Sequence, residues 1–371
     1  MKKINIAIVG LGFGSEFIPI YKNHPDTNMY AICQRNKENI NRIGDAFSIE
    51  KRYSDFDELL SDRKIDAVHI NSPIHLHASQ SIASLKAGKH VACTVPMATT
   101  VEECEEIVRL QRQTGKLYMM METTVYSREF LYIKEMFTKG ELGRIQFLRA
   151  AHHQEMAGWP GYWEGLPPMH YATHCVGPCL GLANKLADFV SCLGSGVIDK
   201  SLIPKYNSPF AIETCHIRMK DSDLSAEISR SLFNTARQYI ESFDVYGSIK
   251  SFEWQQVENE KPVLFTGENA EKVEIPDYAY LLPEGIRQYT TKGVYDATEN
   301  IHLSFKQGSG HGGSHPHMAN EFVRSILENR QPFPNAVQSA NWTSVGILGH
   351  ESALRNGEII KLPDFDSLGK I

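Results

Sequence analysis

The sequence predicts an α/β protein of two domains: a doubly wound parallel sheet over 1–123, and an α/β domain with a large mixed or antiparallel sheet over 124–371. Three observations carry this reading. The chain opens on an apolar, β-branched run, Ile4-Asn5-Ile6-Ala7-Ile8-Val9, which breaks into Gly10-Leu11-Gly12-Phe13-Gly14-Ser15 and then into a helix-compatible stretch. Strand-like and helix-like segments alternate from there to Met121. Beyond Ile145 the rhythm changes to period-two stretches. With 371 residues, 42% of them hydrophobic, the chain is long enough to bury two cores.

The glycine turn has the form that begins a dinucleotide-binding βαβ unit. Gly10 allows the tight turn, Gly12 lets the backbone approach a pyrophosphate, and the next helix offers its free N–H groups to the phosphates. The third glycine of G-x-G-x-x-G falls on Ser15, with Gly14 one place early. Glu16 to Asn23 reads as the first helix, with Pro19 near its first turn. Met29 to Cys33 reads as the second strand, ending at Gln34-Arg35, about twenty residues past the glycines, where an NAD site usually places an acid against the adenosine ribose. Gln34 removes the repulsion an acid would exert on a 2'-phosphate. Arg35 supplies a cation to that phosphate, or is a solvated surface residue, or stacks on adenine. NAD is the expected cofactor, and this pair admits NADP.

Lys37 to Phe47 and Asp55 to Ser61 read as helices, the second with Asp55 as N-cap, and Ala67 to Ile70 as a strand. Asn71-Ser72-Pro73-Ile74-His75-Leu76-His77 follows, then a helix to Ala87, the strand His90 to Cys93, a helix over Val101 to Thr114 and the strand Leu117 to Met121, ending at Glu122. Ligands collect at the C-terminal ends of parallel strands. Gly10, Gly12, Phe13, Gly14, Ser15, Gln34, Arg35, Asn71, Ser72, Pro73, His75, His77, Thr94, Val95 and Glu122 are therefore the expected cofactor residues. In the second domain Tyr126 to Lys139 is helical, while Ile145 to His152, Ala226 to Leu232 and Ile240 to Tyr246 are strands. Ile249 to Trp254 closes a hairpin across Gly247-Ser248. Pro316 to Asn329 and Ala336 to Arg355 read as helices.

A net charge of −6 leaves no basic footprint, so the expected partner is a small molecule rather than nucleic acid or a membrane surface. No stretch approaches the roughly 18 apolar residues of a membrane span. The opening apolar run is too short for a signal peptide and lacks a cleavage site. The seven scattered cysteines form no C-x-x-C pair, which fits reduced thiols and a cytoplasmic location.

Asn71-Ser72-Pro73-Ile74-His75-Leu76-His77-Ala78, followed by Leu85-Lys86-Ala87-Gly88-Lys89-His90-Val91, resembles the glucose-fructose oxidoreductase / inositol dehydrogenase / MocA family. With the glycine turn and the later sheet, the resemblance spans nearly the whole length. It implies a Rossmann domain holding NAD(P), a sugar-like substrate, and a C-terminal domain whose open sheet joins copies into a homodimer or homotetramer. One departure stands out. The family's dehydrogenases usually carry Glu-Lys-Pro after the strand ending at Cys93, with the lysine at the reacting hydroxyl, and this chain has Thr94-Val95-Pro96. Val95 can neither donate a side-chain hydrogen bond nor relay a proton.

Other residues are candidates for that work. A helix from near Met169 to Leu182 sets Tyr171 and His174 on one face at i,i+3, with His170 one turn before His174. Such a pair suits proton handling at a carbohydrate ring, or is a buried, satisfied pair. Trp163 either stacks on a sugar face or fills the core. Tyr171-Ala172-Thr173-His174, Gly177-Pro178 and Gly310-His311-Gly312-Gly313 resemble the family's NAD-dependent glycosidase branch, typified by α-N-acetylgalactosaminidases. The resemblance implies Tyr171 and His174 as acid/base residues and Glu122 as a third; His170 and Trp163 are the further substrate-binding candidates. Two activities follow: NAD(P)-dependent hydride transfer to or from a sugar or polyol hydroxyl, or glycoside hydrolysis by transient oxidation, elimination, water addition and return of the hydride. His311, His315 and His317 have no acid or cysteine close in sequence, and the family needs no metal, so none is expected.

Overall fold

The computed structural model describes residues 3–156, 161, 164–257, 260–291 and 311–369. The chain divides into two compact units, one of Met1–Thr123, Asp277–Ala340 and Phe365–Ile371, the other of Thr124–Pro276 and Asn341–Asp364.

The first unit begins with β1 (Ile4–Val9), α1 (Phe17–Asn23), β2 (Thr27–Cys33), α2 (Lys37–Ala46), β3 (Lys51–Tyr53), α3 (Phe56–Ser61), β4 (Ala67–Ile70), α4 (His77–Lys86), β5 (His90–Thr94), α5 (Val101–Thr114) and β6 (Tyr118–Met121). Its six strands pair in parallel in the order β3-β2-β1-β4-β5-β6. The order reverses between β1 and β4, the switch point at which open α/β sheets bind ligands. Every residue of β4 and β6 is buried, as expected of parallel strands covered on both faces. Helix starts follow the sequence. Asp55 accepts from Glu58 N at 2.9 Å, and Thr100 and Glu103 form a reciprocal capping box at α5. The sequence reading omitted β3, because Lys51-Arg52-Tyr53 is a short polar edge strand with no apolar alternation.

The second unit contains α6 (Arg128–Thr138), β7 (Ile145–His153), α7 (Thr173–Ala183), β8 (Ala187–Ser195), α8 (Ile203–Tyr206), β9 (Ile212–Met219), β10 (Ser225–Ser231), β11 (Ile240–Gly247), β12 (Lys250–Glu253), β13 (Val263–Thr266) and β14 (Asn269–Lys272). Two further helices, α9 (Ser314–Leu327) and α10 (Ala336–Leu354), precede a short last strand, β15 (Ile360–Lys361). The nine strands run β14-β13-β12-β11-β7-β10-β9-β8-β15, antiparallel except for the β7–β10 pair.

Register explains where this sheet is buried. Val245, Leu148, Ala226, Ile217 and Val190 lie opposite one another across five strands, and so do Phe243, Ala150, Ile228, Cys215 and Cys192. These two rows form an apolar inner face. α7, buried from Thr173 to Leu182, packs against β7, β10 and β11. One pitch further along, the same face carries Glu241, His152, Arg230 and Glu213. An ionisable row therefore ends an apolar sheet.

The partition differs from a second domain of 124–371. Residues 277–340 and 365–371 join the first unit, because α9 packs on α1 and buries Met318, Ala319, Phe322 and Val323 there. His315 Nδ1 meets Glu16 Oε2 at 2.8 Å, and His24 Nε2 meets Asn320 Oδ1 at 3.1 Å. α9 also starts two residues before Pro316, after Gly313 at φ +76°. Pro316 lies in the first turn, where its missing N–H leaves no bond unmade. No described helix is long and apolar enough to cross a membrane.

Candidate active site

The first unit supplies a dinucleotide seat. Gly10 has φ +84°, and a Cβ there would lie 2.4 Å from Asn71 O, so only glycine lets the two loops at the switch point touch. Gly12 is exposed, which leaves its backbone open to a phosphate. A Cβ on Gly14 would meet Ile8 Cγ2 at 2.9 Å and Asn71 Cβ at 3.0 Å, giving Gly14 the close-packing role of the displaced third glycine. Ser15 is buried and its hydroxyl donates to Leu11 O and Gly12 O at 2.9 and 3.0 Å, which fixes the turn from inside. Phe13 sits edge-on to Phe17 at 5.7 Å and to His315 at 5.5 Å.

The neighbouring strand ends complete this seat. Gln34 Oε1 accepts from Asn39 Nδ2 at 2.7 Å, and Arg35 is exposed. Asn71 N donates to Val9 O at 2.7 Å, and Ser72 Oγ donates to Gln80 Oε1. The buried His77 ring spans Ser72 O at 2.9 Å and Pro96 O at 2.8 Å, pinning the loop after β4 to the loop after β5. Burial lowers its pKa. Thr94 Oγ1 donates to Ile70 O at 3.2 Å, while Val95 is only 6% exposed. Pro73 precedes a short turn, His75 is exposed, and Glu122 is fully buried just past β6. These residues fit an extended nucleotide cofactor, since the loops converge where glycine leaves the backbone bare.

The second unit gathers buried ionisable side chains. The expected single helix over 169–182 is two pieces, a 3-10 turn over Pro168–Tyr171 and then α7, with Ala172 at φ −85° and ψ 2° between them. Tyr171 and His174 still meet, ring centroids 5.1 Å apart and nearly perpendicular. Around them the ionisable row contributes groups that the sequence did not reveal. His174 Nε2 lies 3.6 Å from Glu241 Oε1, and His152 Nε2 lies 3.8 Å from the same oxygen. Tyr239 donates its hydroxyl to that oxygen as well. The fully buried Arg230 guanidinium lies over the Tyr171 ring at 5.6 Å and donates through Nη1 to His152 O and Ser231 O. Burial brings its pKa down to about 10, so it remains a cation near neutrality. Burial also pushes the Tyr239 phenol up, keeping it a donor.

His170 turns to different neighbours. Its ring packs edge-on to His350 at 5.8 Å, and His350 Nδ1 meets Glu213 Oε1 at 2.7 Å. Burial holds the His170 imidazole down to about 3. Trp163 lies outside the described residues, as do Gly308 to Gly310. Of the missed groups, His152 had one available signal, the end of a period-two strand. Arg230, Tyr239 and Glu241 are 78 to 89 residues away from it in the chain, and the pairing of β7 with β10 and β11 brings Arg230 and Glu241 to it.

Residues 4–122 match the model of an oxidoreductase family with an NAD-binding Rossmann fold. Over 98% of its length the chain is 23% identical to an alpha-N-acetylgalactosaminidase of Shewanella oneidensis, covering 85% of that protein. A glycosyl hydrolase family 109 protein of Shewanella sp. strain ANA-3 has the same identity and coverage. Among solved structures, levoglucosan dehydrogenase in complex with NADH and levoglucosan superposes with a TM-score of 0.80 at 18% identity, over 98% of this chain and 100% of that one. Apo scyllo-inositol dehydrogenase from Lactobacillus casei gives 0.73 at 19% identity, over 97% and 98%.

Proposed function

We propose that this chain, whose N-terminal domain belongs to the glucose-fructose oxidoreductase / inositol dehydrogenase / MocA family, is an NAD-dependent enzyme that moves hydride to or from a hydroxyl-bearing carbon of a sugar or polyol. The observation that carries the reading is the Tyr171–His174–Glu241 arrangement. It sets a phenol, an imidazole and a carboxylate together in buried surroundings, in a chain that also builds a nucleotide seat. Bound NAD supplies the hydride acceptor. The proton of the reacting hydroxyl passes to the His174 imidazole, directly or relayed through the Tyr171 hydroxyl as that gives up its own proton, and Glu241 steadies the imidazolium that results. Arg230, over the ring of Tyr171, favours the phenolate whenever that phenol gives up its proton. His77 holds the loops after β4 and β5 together, which orders the seat for the nicotinamide half of the cofactor.

Two observations favour a second reading, in which oxidation is transient and a glycosidic bond is cleaved with no net redox change. The position after β5 holds Val95 in place of a proton-relaying lysine, and the similarity to the alpha-N-acetylgalactosaminidase extends over nearly the whole chain. Both readings share the first hydride transfer and use the same Tyr171–His174 pair. The experiment is mass spectrometry of the nucleotide released on denaturing purified protein, followed by assays on free sugars and on chromogenic glycosides. Accumulation of NADH from free sugars supports the dehydrogenase. Aglycone release from untreated protein without NADH supports the glycosidase. Neither product, with a nucleotide bound, overturns both.

We further infer a cytoplasmic homodimer or homotetramer. All seven cysteines are buried, and none is joined to another, which suits a reducing compartment. The outer face of the nine-stranded sheet carries Arg149, Thr214, Glu227, Ser229, Ser242 and Asp244 around a shallow 370 Å³ concavity, the surface on which a second copy would dock.

A further inference from the structure

We propose that Glu16 and His315 act as a charge pair that sets the affinity of the glycine turn for the cofactor's phosphates, with His315 cancelling a carboxylate that would otherwise repel them. The inference rests on the NAD reading and extends it to a pair that the reading leaves without a role. Glu16 closes the 3-10 turn Gly14–Glu16 and stands at the N-cap of α1, four residues past Gly12. A carboxylate at an N-cap can turn back to accept from its own helix, and this one makes no such bond. It meets His315 Nδ1 at 2.8 Å instead, in the first turn of α9, with both side chains only 3% exposed.

The surroundings give Glu16 no other counter-ion. Among the described residues no lysine or arginine pairs with it. His69 packs on the same Phe17 ring as His315, at 4.4 Å against 5.0 Å, but burial and then the charge of His315 bring its pKa down to about 3, so near neutrality it carries no charge. The ring of His311 lies 5.2 Å from that of His315 and the ring of Phe13 5.5 Å from it. On the other side of the His315 ring, Nε2 meets no acceptor among the described residues. The Glu16 carboxylate is thus the group that engages the imidazole, and with the ring protonated the pair is neutral as a whole.

That neutrality matters because of where the acid stands. Gly12 is the exposed glycine at which the backbone is open to a pyrophosphate, and Glu16 follows it by about one helical turn, roughly 6 Å of rise. A charge kept out of water is poorly screened at such a range. Left alone, the carboxylate opposes the two phosphates of the cofactor. A pair that served only to dock α9 on α1 would suffer alike from losing either partner, since each loss strands the other. Charge cancellation forecasts an asymmetry instead: only the loss of His315 leaves a bare anion behind the turn. His315 is then a positioning residue that acts on the cofactor through Glu16.

The test is calorimetric titration of NAD into the full-length protein, stripped of nucleotide, as wild type, His315→Gln, Glu16→Gln and the double variant, with a thermal melt of each. His315→Gln should weaken NAD at least tenfold. Glu16→Gln should bind as tightly as the wild type or more tightly, and adding it to His315→Gln should bring affinity back to within about threefold of the wild type. His315→Asn takes the place of His315→Gln if the latter does not fold. Equal weakening in both single variants, with no recovery in the double, overturns the proposal and leaves the pair as a tie between α9 and α1. Unchanged affinity in a His315 variant that melts like the wild type overturns it as well. Both of those outcomes leave NAD binding by the wild type standing. Wild-type protein that binds no NAD overturns the cofactor reading itself, and the proposal with it.

Discussion

The two sheets keep their polar groups in different places. In the parallel sheet β4 is apolar but for a buried histidine, β5 begins and ends on its only polar residues, and the groups suited to a ligand sit at or past the last residue of each strand, at Gly10, Asn71, Thr94 and Glu122. In the nine-stranded sheet the ionisable groups are inside the ladder. Glu241, His152, Arg230 and Glu213 stand side by side on four adjacent strands, with apolar rows directly beside them. The first arrangement relies on backbone and a bare turn, so it binds a cofactor through groups every chain has. The second relies on side chains that are costly to bury singly and tolerable only as a set.

Breaking the side-chain set should have the largest effect. His174→Ala should lower turnover by about 10²–10⁴, the usual worth of a positioned proton-transfer group, while NAD affinity stays within twofold. Tyr171→Phe should do the same with less disturbance, because the ring remains against His174. Steady-state kinetics and a nucleotide-binding titration on each variant check both halves of this expectation. A His174→Ala enzyme of full activity would remove the pair from the chemistry.

Stability separates the two regions next. Glu213→Ala strips the partner from His350, to which it lies 2.7 Å away, and leaves buried polar groups uncompensated. Leaving a buried hydrogen-bonding group without its partner costs about 1–3 kcal/mol. Chemical denaturation should register that loss with no change in NAD affinity. Gly10→Ala acts on the other region, forcing a Cβ to 2.4 Å from Asn71 O at a φ that side chains rarely adopt. It should cost about 1–3 kcal/mol and, unlike Glu213→Ala, weaken NAD binding at least tenfold. Gly12→Val, at an exposed position, should lose the cofactor while melting normally. If Gly12→Val binds NAD unchanged, the pyrophosphate does not cross that turn.

These contrasts also mark what the sequence discloses. Gly10-Leu11-Gly12, the Asp55 cap and the Thr100–Glu103 capping box are local signals, and the backbone follows them within a residue or two. Tyr171 and His174 are three residues apart, so local periodicity was enough to pair them even though a helix break falls between. Glu241 and Arg230 are brought to His152 by register alone, and register over such separations depends on every strand in between. The segment over 277–340 misled for a related reason. α9 is amphipathic, and an amphipathic helix reveals that it has a buried face without saying which core receives it.

Acid should find the first unit through His69. It is fully buried, with Tyr21 Oη 3.1 Å from its Nδ1 and the Phe17 ring 4.4 Å away, and burial holds its pKa at about 3 against the usual 6.5. Between those values the unfolded chain binds a proton that the native state does not, so stability falls as pH drops from 6.5 towards 3. The slope from this one group reaches about 1.4 kcal/mol per pH unit. His69→Leu should be less stable at neutral pH, having lost the partner of Tyr21, yet show a shallower acid limb in denaturation midpoints taken at several pH values. An unchanged slope would mean that other groups govern acid unfolding.

The smallest effect belongs to the end of β2, where the sequence left two roles open. Arg35 is exposed, whereas Gln34 is engaged by Asn39, so of the two the guanidinium is the more available to meet a cofactor. An exposed cation facing a phosphate is worth about 0.2–1 kcal/mol, so Arg35→Ala should weaken NADP by up to about fivefold and leave NAD nearly untouched. Paired titrations with the two nucleotides measure the difference directly. Equal weakening of both would place the guanidinium on the adenine face, which the two cofactors share, and would remove the argument that this strand end admits the phosphorylated form.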